Sequence, residues 1–147
     1  NVTYPKLAGD AAVGTTFTQA FNSSDERPIA KEFVAMVNQK YKFPCPDHDF
    51  SQAWDAAQIA KMALAKANLK LTDASLAEDR RAIRDALATI RYEGLAAGPI
   101  EFCAAPTPQC RDGNRTAILV QYTKGGEKFE TKILARVSFD KDFGLPK

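Results

Sequence analysis

The segment FPCPDHDFSQAWDAAQIAKMALAKA, residues 43–67, gathers the side chains of this chain best suited to chemistry: its one histidine (His48), its one tryptophan (Trp54) and Cys45, one of three cysteines. With a single histidine, the nucleophile–base pair to consider is Cys45 with His48. The two are three residues apart across Pro46, whereas catalytic partners converge from separate elements, so the spacing argues against a thiol hydrolase. No G-x-S-x-G, phosphate loop or G-x-G-x-x-G occurs. There is no CxxC pair and His48 is far in sequence from Cys103 and Cys110, so neither a metal nor another cofactor is expected. Binding is the chemistry left. The helix that begins here exposes backbone N–H groups and the positive end of its dipole, which suit a carboxylate or carbonyl, while His48 and Phe50 add hydrogen bonding and stacking. Equally, Asp47, Asp49 or Ser51 can cap that helix, with Phe50 and Trp54 in the core and His48 on the surface.

The segment CAAPTPQC sets Cys103 and Cys110 on either side of Pro106 and Pro108, which turn the chain back. A local disulfide is the better reading and implies an oxidising compartment; two unrelated buried thiols are the other.

These residues need elements to hold them. A chain of 147 residues, 45% hydrophobic, is long enough for one compact core. A net charge of +2, with acids and bases interspersed, gives no field that would draw nucleic acid or a membrane surface. No apolar run of about 18 residues exists to span a bilayer. The opening NVTYPKLAGDAAVG carries no Met, basic n-region or apolar h-region, the expectation for a chain whose targeting peptide has been removed.

AAVGTTF, residues 11–17, reads as a short buried strand. RPIAKEFVAMVNQKYK spaces Ile29, Phe33, Met36, Val37 and Tyr41 as a helix with Pro28 in its first turn, stopped by Pro44 and Pro46. In the helix after His48, alanines alternate with Trp54, Ile59, Met62 and Leu64 around most of the circumference, which predicts packing on two sides. A third helix over residues 76–90 puts Ile83, Ala86, Leu87 and Ile90 on one face. PIEFC reads as a strand. A hairpin turning at Gly125-Gly126 closes the chain, with Phe129, Thr131, Ile133, Ala135, Val137 and Phe139 alternating. The class is α/β.

The order RPIAKEFVAMVNQKYKFP, FSQAWDAAQIAKMALAKA, RRAIRDALATIRYEGLAAGPIEF, RTAILVQYTKGGEKF resembles the carboxy-terminal portion of the type I periplasmic solute-binding proteins, the Leu/Ile/Val-binding-protein-like receptors of ABC importers. WDAAQIAKMALAKA stands where that family has Tyr-Asp-Ala, and Cys103 stands where it has an aspartate. Members are more than twice this length. The resemblance implies a periplasmic-binding-protein type I fold, part of a two-lobe Rossmann-like three-layer architecture in which hinge closure traps a ligand. It divides the chain into 1–21 (end of lobe 2 and a crossing), 22–113 (second part of lobe 1) and 114–147 (return to lobe 2 with the hairpin).

The same resemblance puts His48, Asp49 and Phe50 at the cleft edge and brings Phe17 and Thr18 to it from the crossing, with Asp25 and Glu78 on outer surfaces. It implies a periplasmic, non-enzymatic receptor that hands an amino acid or aromatic carboxylate to ABC permease subunits. Its binding surfaces would be completed by the remainder of its own chain or by a second copy. A ligand-sensing module of the same fold, and a thiol hydrolase using Cys45 and His48, are the alternatives.

Overall fold

The computed structural model describes residues 3–43, 48–95, 99–102 and 116–138. Cys45, Asp47, Cys103, Cys110 and Phe139 therefore lie outside the described residues. In chain order the strands are β1 (Thr16–Gln19), β2 (Arg91–Glu93), β3 (Pro99–Glu101), β4 (Thr116–Lys124) and β5 (Glu130–Ser138). The helices are α1 (Thr3–Ala8), α2 (Pro28–Tyr41), α3 (His48–Lys66) and α4 (Leu76–Leu87). An antiparallel three-stranded sheet has the order β1-β4-β5, and β2 and β3 form a separate two-stranded ribbon.

The strand expected over residues 11–17 is shorter and later. Residues 9–12 form a 3-10 turn, and Gly9 and Gly14 adopt φ of 54° and 87°, which interrupts any extended run, so β1 starts at Thr16. It is also an edge strand with alternating exposure, not a buried one. α1 and this turn pack on the hairpin loop: the Gly126 N–H donates to the Pro5 carbonyl at 2.9 Å, and Gly125 lies so close to the Gly9 carbonyl that a Cβ there has no room.

α2 forms where its apolar spacing predicts, with Pro28 in the first turn and Ala30, Phe33 and Val37 buried. It ends at Lys42 in the left-handed conformation, whose N–H donates to the Asn38 carbonyl at 2.9 Å. Its buried stripe meets Phe21 and Leu95 in one core cluster. A second cluster joins Ile59 and Ala63 of α3 to Ala86 of α4 and to Ile90. α4 stops at Leu87, short of the expected Ile90, because the chain turns there and the Thr89 hydroxyl donates to the Ala86 carbonyl at 2.8 Å.

Asp79 of α4 holds the α3–α4 connection. Its carboxylate accepts the backbone N–H groups of Lys70 and Leu71 and the Ser75 hydroxyl, each at 2.9 Å. The Lys70 N–H, foremost, holds this carboxyl below its ordinary value of 3.8. A depressed carboxylate stabilises the fold above its unfolded-state pKa and loses that contribution as pH falls through the folded one. Asp79→Asn is therefore expected to melt below the unsubstituted protein at neutral pH, the gap narrowing below the ordinary value of 3.8. Thermal melts across pH check this.

The alternation expected along residues 129–139 fails past Ile133. Ile133 pairs with Val120 and Ala135 pairs with Leu119, which leaves Leu134 as an extra residue, a β-bulge; Thr123 is skipped in the same way on β4. Directly paired residues share a sheet face. Thr131 and Ile133 thus lie with buried Tyr122 and Val120, and Arg136, opposite buried Ile118, joins them beyond the bulge. Ala135 and Val137 move to the outer face, where Val137 is 48% exposed. The continuous apolar face expected through Ile133 and Val137 is not formed.

Candidate functional site

The helix predicted after the two prolines begins at His48, with Asp49 in its first turn. Asp49 thus complements the positive helix end. Ser51 is no cap: it is buried and its hydroxyl donates back to the His48 carbonyl at 2.9 Å. His48 Nε2 lies 3.4 Å from the Asp49 carboxylate, and its enclosed Nδ1 has no hydrogen-bond partner among the described residues. Phe50 stacks on Phe43 with ring centres 5.0 Å apart and planes 19° apart, and both rings are partly exposed. Trp54, one turn on, lies against Phe33 at 5.7 Å, packing α3 on α2.

Phe17 and Thr18 sit on β1, opposite Val120 and Leu119 of β4, so they face opposite sides of the sheet. Phe17 is on the inner face, 5.0 Å from Tyr122, whose ring also meets Tyr4 and Phe129. Thr18 is exposed on the other face. The structure therefore brings His48, Asp49 and Phe50 together at the start of α3 and holds Phe17 and Thr18 on a different sheet, back to back. Among the described residues no group of three His, Cys, Asp or Glu side chains could hold a metal ion. No helix among them is long and apolar enough to cross a membrane.

Two buried acids at the junction of the sheets were not singled out from the sequence. Asp25, expected on an outer surface, is only 3% exposed. Its carboxylate accepts from the Arg27 backbone N–H (3.0 Å), from Arg27 Nε (2.9 Å) and from Arg136 Nη2 of β5 (2.9 Å). Burial acts against the charged form, yet these arginine contacts prevail and hold the carboxyl below its ordinary range. The signal was present: an Asp two residues before an arginine and just ahead of a proline-started helix is a typical side-chain-to-backbone turn. Glu78, by contrast, is on the surface, where Lys70 pairs with it at 2.8 Å.

Asp55 is the second. Ser51, Asp55, Ile59 and Ala63 recur at four-residue intervals and are the buried residues of α3, so the acid sits on the inward stripe of an alanine-rich helix. Its Oδ1 accepts the Leu95 N–H at 2.9 Å. Burial, foremost, together with the Asp55 charge and its hydrogen bond with Tyr92, pushes the Tyr92 hydroxyl up to about 12. Gly94 lies against both: a Cβ there would fall on the Tyr92 ring and 2.7 Å from Asp55 Cγ.

No family model matches the sequence, and no curated protein does. Solved structures do match. An ABC transporter substrate-binding protein from Sphaerobacter thermophilus aligns over 88% of this chain with a TM-score of 0.67 and 19% identity. A solute binding protein of an ABC transporter from Rhodopseudomonas palustris BisB5, in complex with 3,4-dihydroxybenzoic acid, aligns over 88% with a TM-score of 0.68 and 21% identity. The leucine binding protein LivK from Thermotoga maritima MSB8 aligns over 90% with a TM-score of 0.59 and 19% identity. The chain covers 32%, 32% and 34% of those proteins, about a third of their length. Its fold is the α/β fold of the type I periplasmic solute-binding proteins, of which it spans that share.

Proposed function

We propose that this chain is part of the solute-binding component of an ABC importer, a periplasmic, non-enzymatic receptor that closes on a small organic solute and passes it to permease subunits. The observation that carries this reading is a structural likeness over 92% of the chain, with a TM-score of 0.64, to a solute binding protein from R. palustris in complex with benzoate. In the proposed division, β1, β4 and β5 belong to lobe 2, and α2 to α4 with the β2–β3 ribbon belong to lobe 1. A bridge between Cys103 and Cys110 belongs to the same proposal, since the periplasm is oxidising.

Aromatic carboxylates are the favoured ligand class and amino acids the next, because relatives of this fold are in complex with 3,4-dihydroxybenzoate and 4-hydroxybenzoate or are named for leucine. The start of α3 supports the choice. Its N–H groups, its dipole and the His48 imidazole suit a carboxylate, and the Phe43–Phe50 stack offers an aromatic edge. Of the two residues on β1, which face opposite sides, the exposed Thr18 is proposed to face the ligand from the other lobe, while Phe17 packs on Tyr122.

A thermal-shift screen of the intact protein against benzoate, 4-hydroxybenzoate, 3,4-dihydroxybenzoate and leucine tests the reading. A binding solute at a hundredfold excess over Kd should stabilise by about 2.7 kcal/mol. His48→Ala and Phe50→Ala should each weaken that solute about tenfold, whereas Glu78→Ala leaves its affinity unchanged. No shift with any compound would overturn the proposal, and unchanged affinity in both cleft variants would remove α3 from the site.

A further inference from the structure

Residues 20–27 carry the chain from β1 to α2, and polar contacts fix this crossing on both sides. Toward the three-stranded sheet, the Thr131 hydroxyl donates to Asn22 Oδ1 at 3.0 Å and Arg136 donates to Asp25 at 2.9 Å. Asn22 Oδ1 also takes the Ser24 N–H and hydroxyl, at 2.9 and 2.6 Å, which rigidifies the crossing itself. Toward the helices, Arg27 donates to the Leu95 carbonyl at 2.7 Å and the Gly94 carbonyl at 3.3 Å, and the Leu95 N–H donates to Asp55 of α3. A continuous polar line thus runs Arg136, Asp25, Arg27, Leu95, Asp55, from the outer strand of one sheet to the central helix of the other unit. The bulge at Leu134 brings Arg136 to the inner face at the end of this line.

The two partners at the β5 end of the line, Asp25 and Arg136, differ in what parting would leave behind. Asp25 has a side chain 1% exposed and keeps both Arg27 bonds if Arg136 withdraws, so no buried charge is left alone. The Arg136 side chain is 36% exposed and can return to water. Removing a buried charge's last partner is costly, whereas releasing one of several while the outgoing group is rehydrated costs far less. We propose that Arg136 is a releasable latch on Asp25 that couples the two sheet units across the crossing and sets how freely they move relative to each other. As the device of a ligand trap, this rests on the receptor reading above; as a coupling between the units, it is measurable without any ligand.

Hydrogen–deuterium exchange on the intact, ligand-free protein tests it. Arg136→Gln should speed exchange about fivefold or more in residues 20–25 and 130–136 while residues 59–63 of α3 keep their protection, and Arg136→Lys should restore part of the loss. Asp25→Asn should extend the effect to residues 94–95, since Arg27 loses its anchor; if that variant fails to fold, Arg136→Gln decides alone. Exchange in residues 20–25 within about twofold of the unsubstituted protein, or acceleration spread evenly through α3 and α4, would overturn the latch. Absence of solute binding would remove the receptor reading and leave this result standing.

Discussion

Gly94→Ala is expected to be among the most damaging single-methyl additions to this protein, lowering its melting temperature by about 10 °C. The conformation of Gly94 is not the cause; the space beside it is. A Cβ would fall on the Tyr92 ring and on Asp55, neither of which can swing away. Asp55 is 2% exposed and tied to the Leu95 N–H, and Tyr92 is packed beside Ile59 and Ile90 in the second core cluster. Displacing either side chain breaks a buried hydrogen bond as well as adding overpacking, and the two together cost about 3–4 kcal/mol. Calorimetric melting of the intact variant measures it. A loss below about 1 kcal/mol would show that the ribbon and α3 have slack between them.

Residues 1–147 prepared alone are expected to associate rather than remain monomeric. α3 buries Ile59 and Ala63 against α4, yet an apolar groove of about 560 Å3 stays open along the same helix, lined by Ala60, Leu64, Ile83, Leu87, Ile100 and Phe102. Leu64 is 51% exposed and Met62 40%. A helix apolar over so much of its circumference is built to be packed on two sides, and here one side has no cover among the described residues. We expect the remainder of a longer chain, or a second copy, to fill the groove; without the former, exposed apolar surface drives self-association. Size-exclusion chromatography with light scattering should show dimers or larger species. A monomer of 16.1 kDa with a sharp two-state transition would show that this sequence closes its own core.

The parts of the fold readable from sequence are those where local and global preferences agree. Pro28 and the spacing of Phe33 and Val37 define α2, the glycine pair at 125–126 defines the hairpin, and the broad alanine-rich surface of α3 anticipates its open groove. Legibility ends where one residue shifts a pattern. A single extra residue, Leu134, exchanges the faces of Arg136 and Val137, and the alternation of residue types around it gives no sign of this. α1 and β2 went unread because their spans of six and three residues are too short to show a period. The resemblance puts Asp25 on an outer surface, whereas its burial depends on pairing across the junction with Arg136, which is distant in sequence. For the site, the sequence marked the start of α3, and the structure adds the Phe43–Phe50 stack and the separation of Phe17 from Thr18.

The proposed role is that of a hinged receptor closing on a small organic solute, and small-angle X-ray scattering of the intact protein, with and without the solute that stabilises it most, tests that closure directly. A saturable decrease in radius of gyration that tracks the fraction bound is the expected result. Superimposable scattering curves at full saturation, or the absence of any stabilising aromatic carboxylate or amino acid, would contradict it.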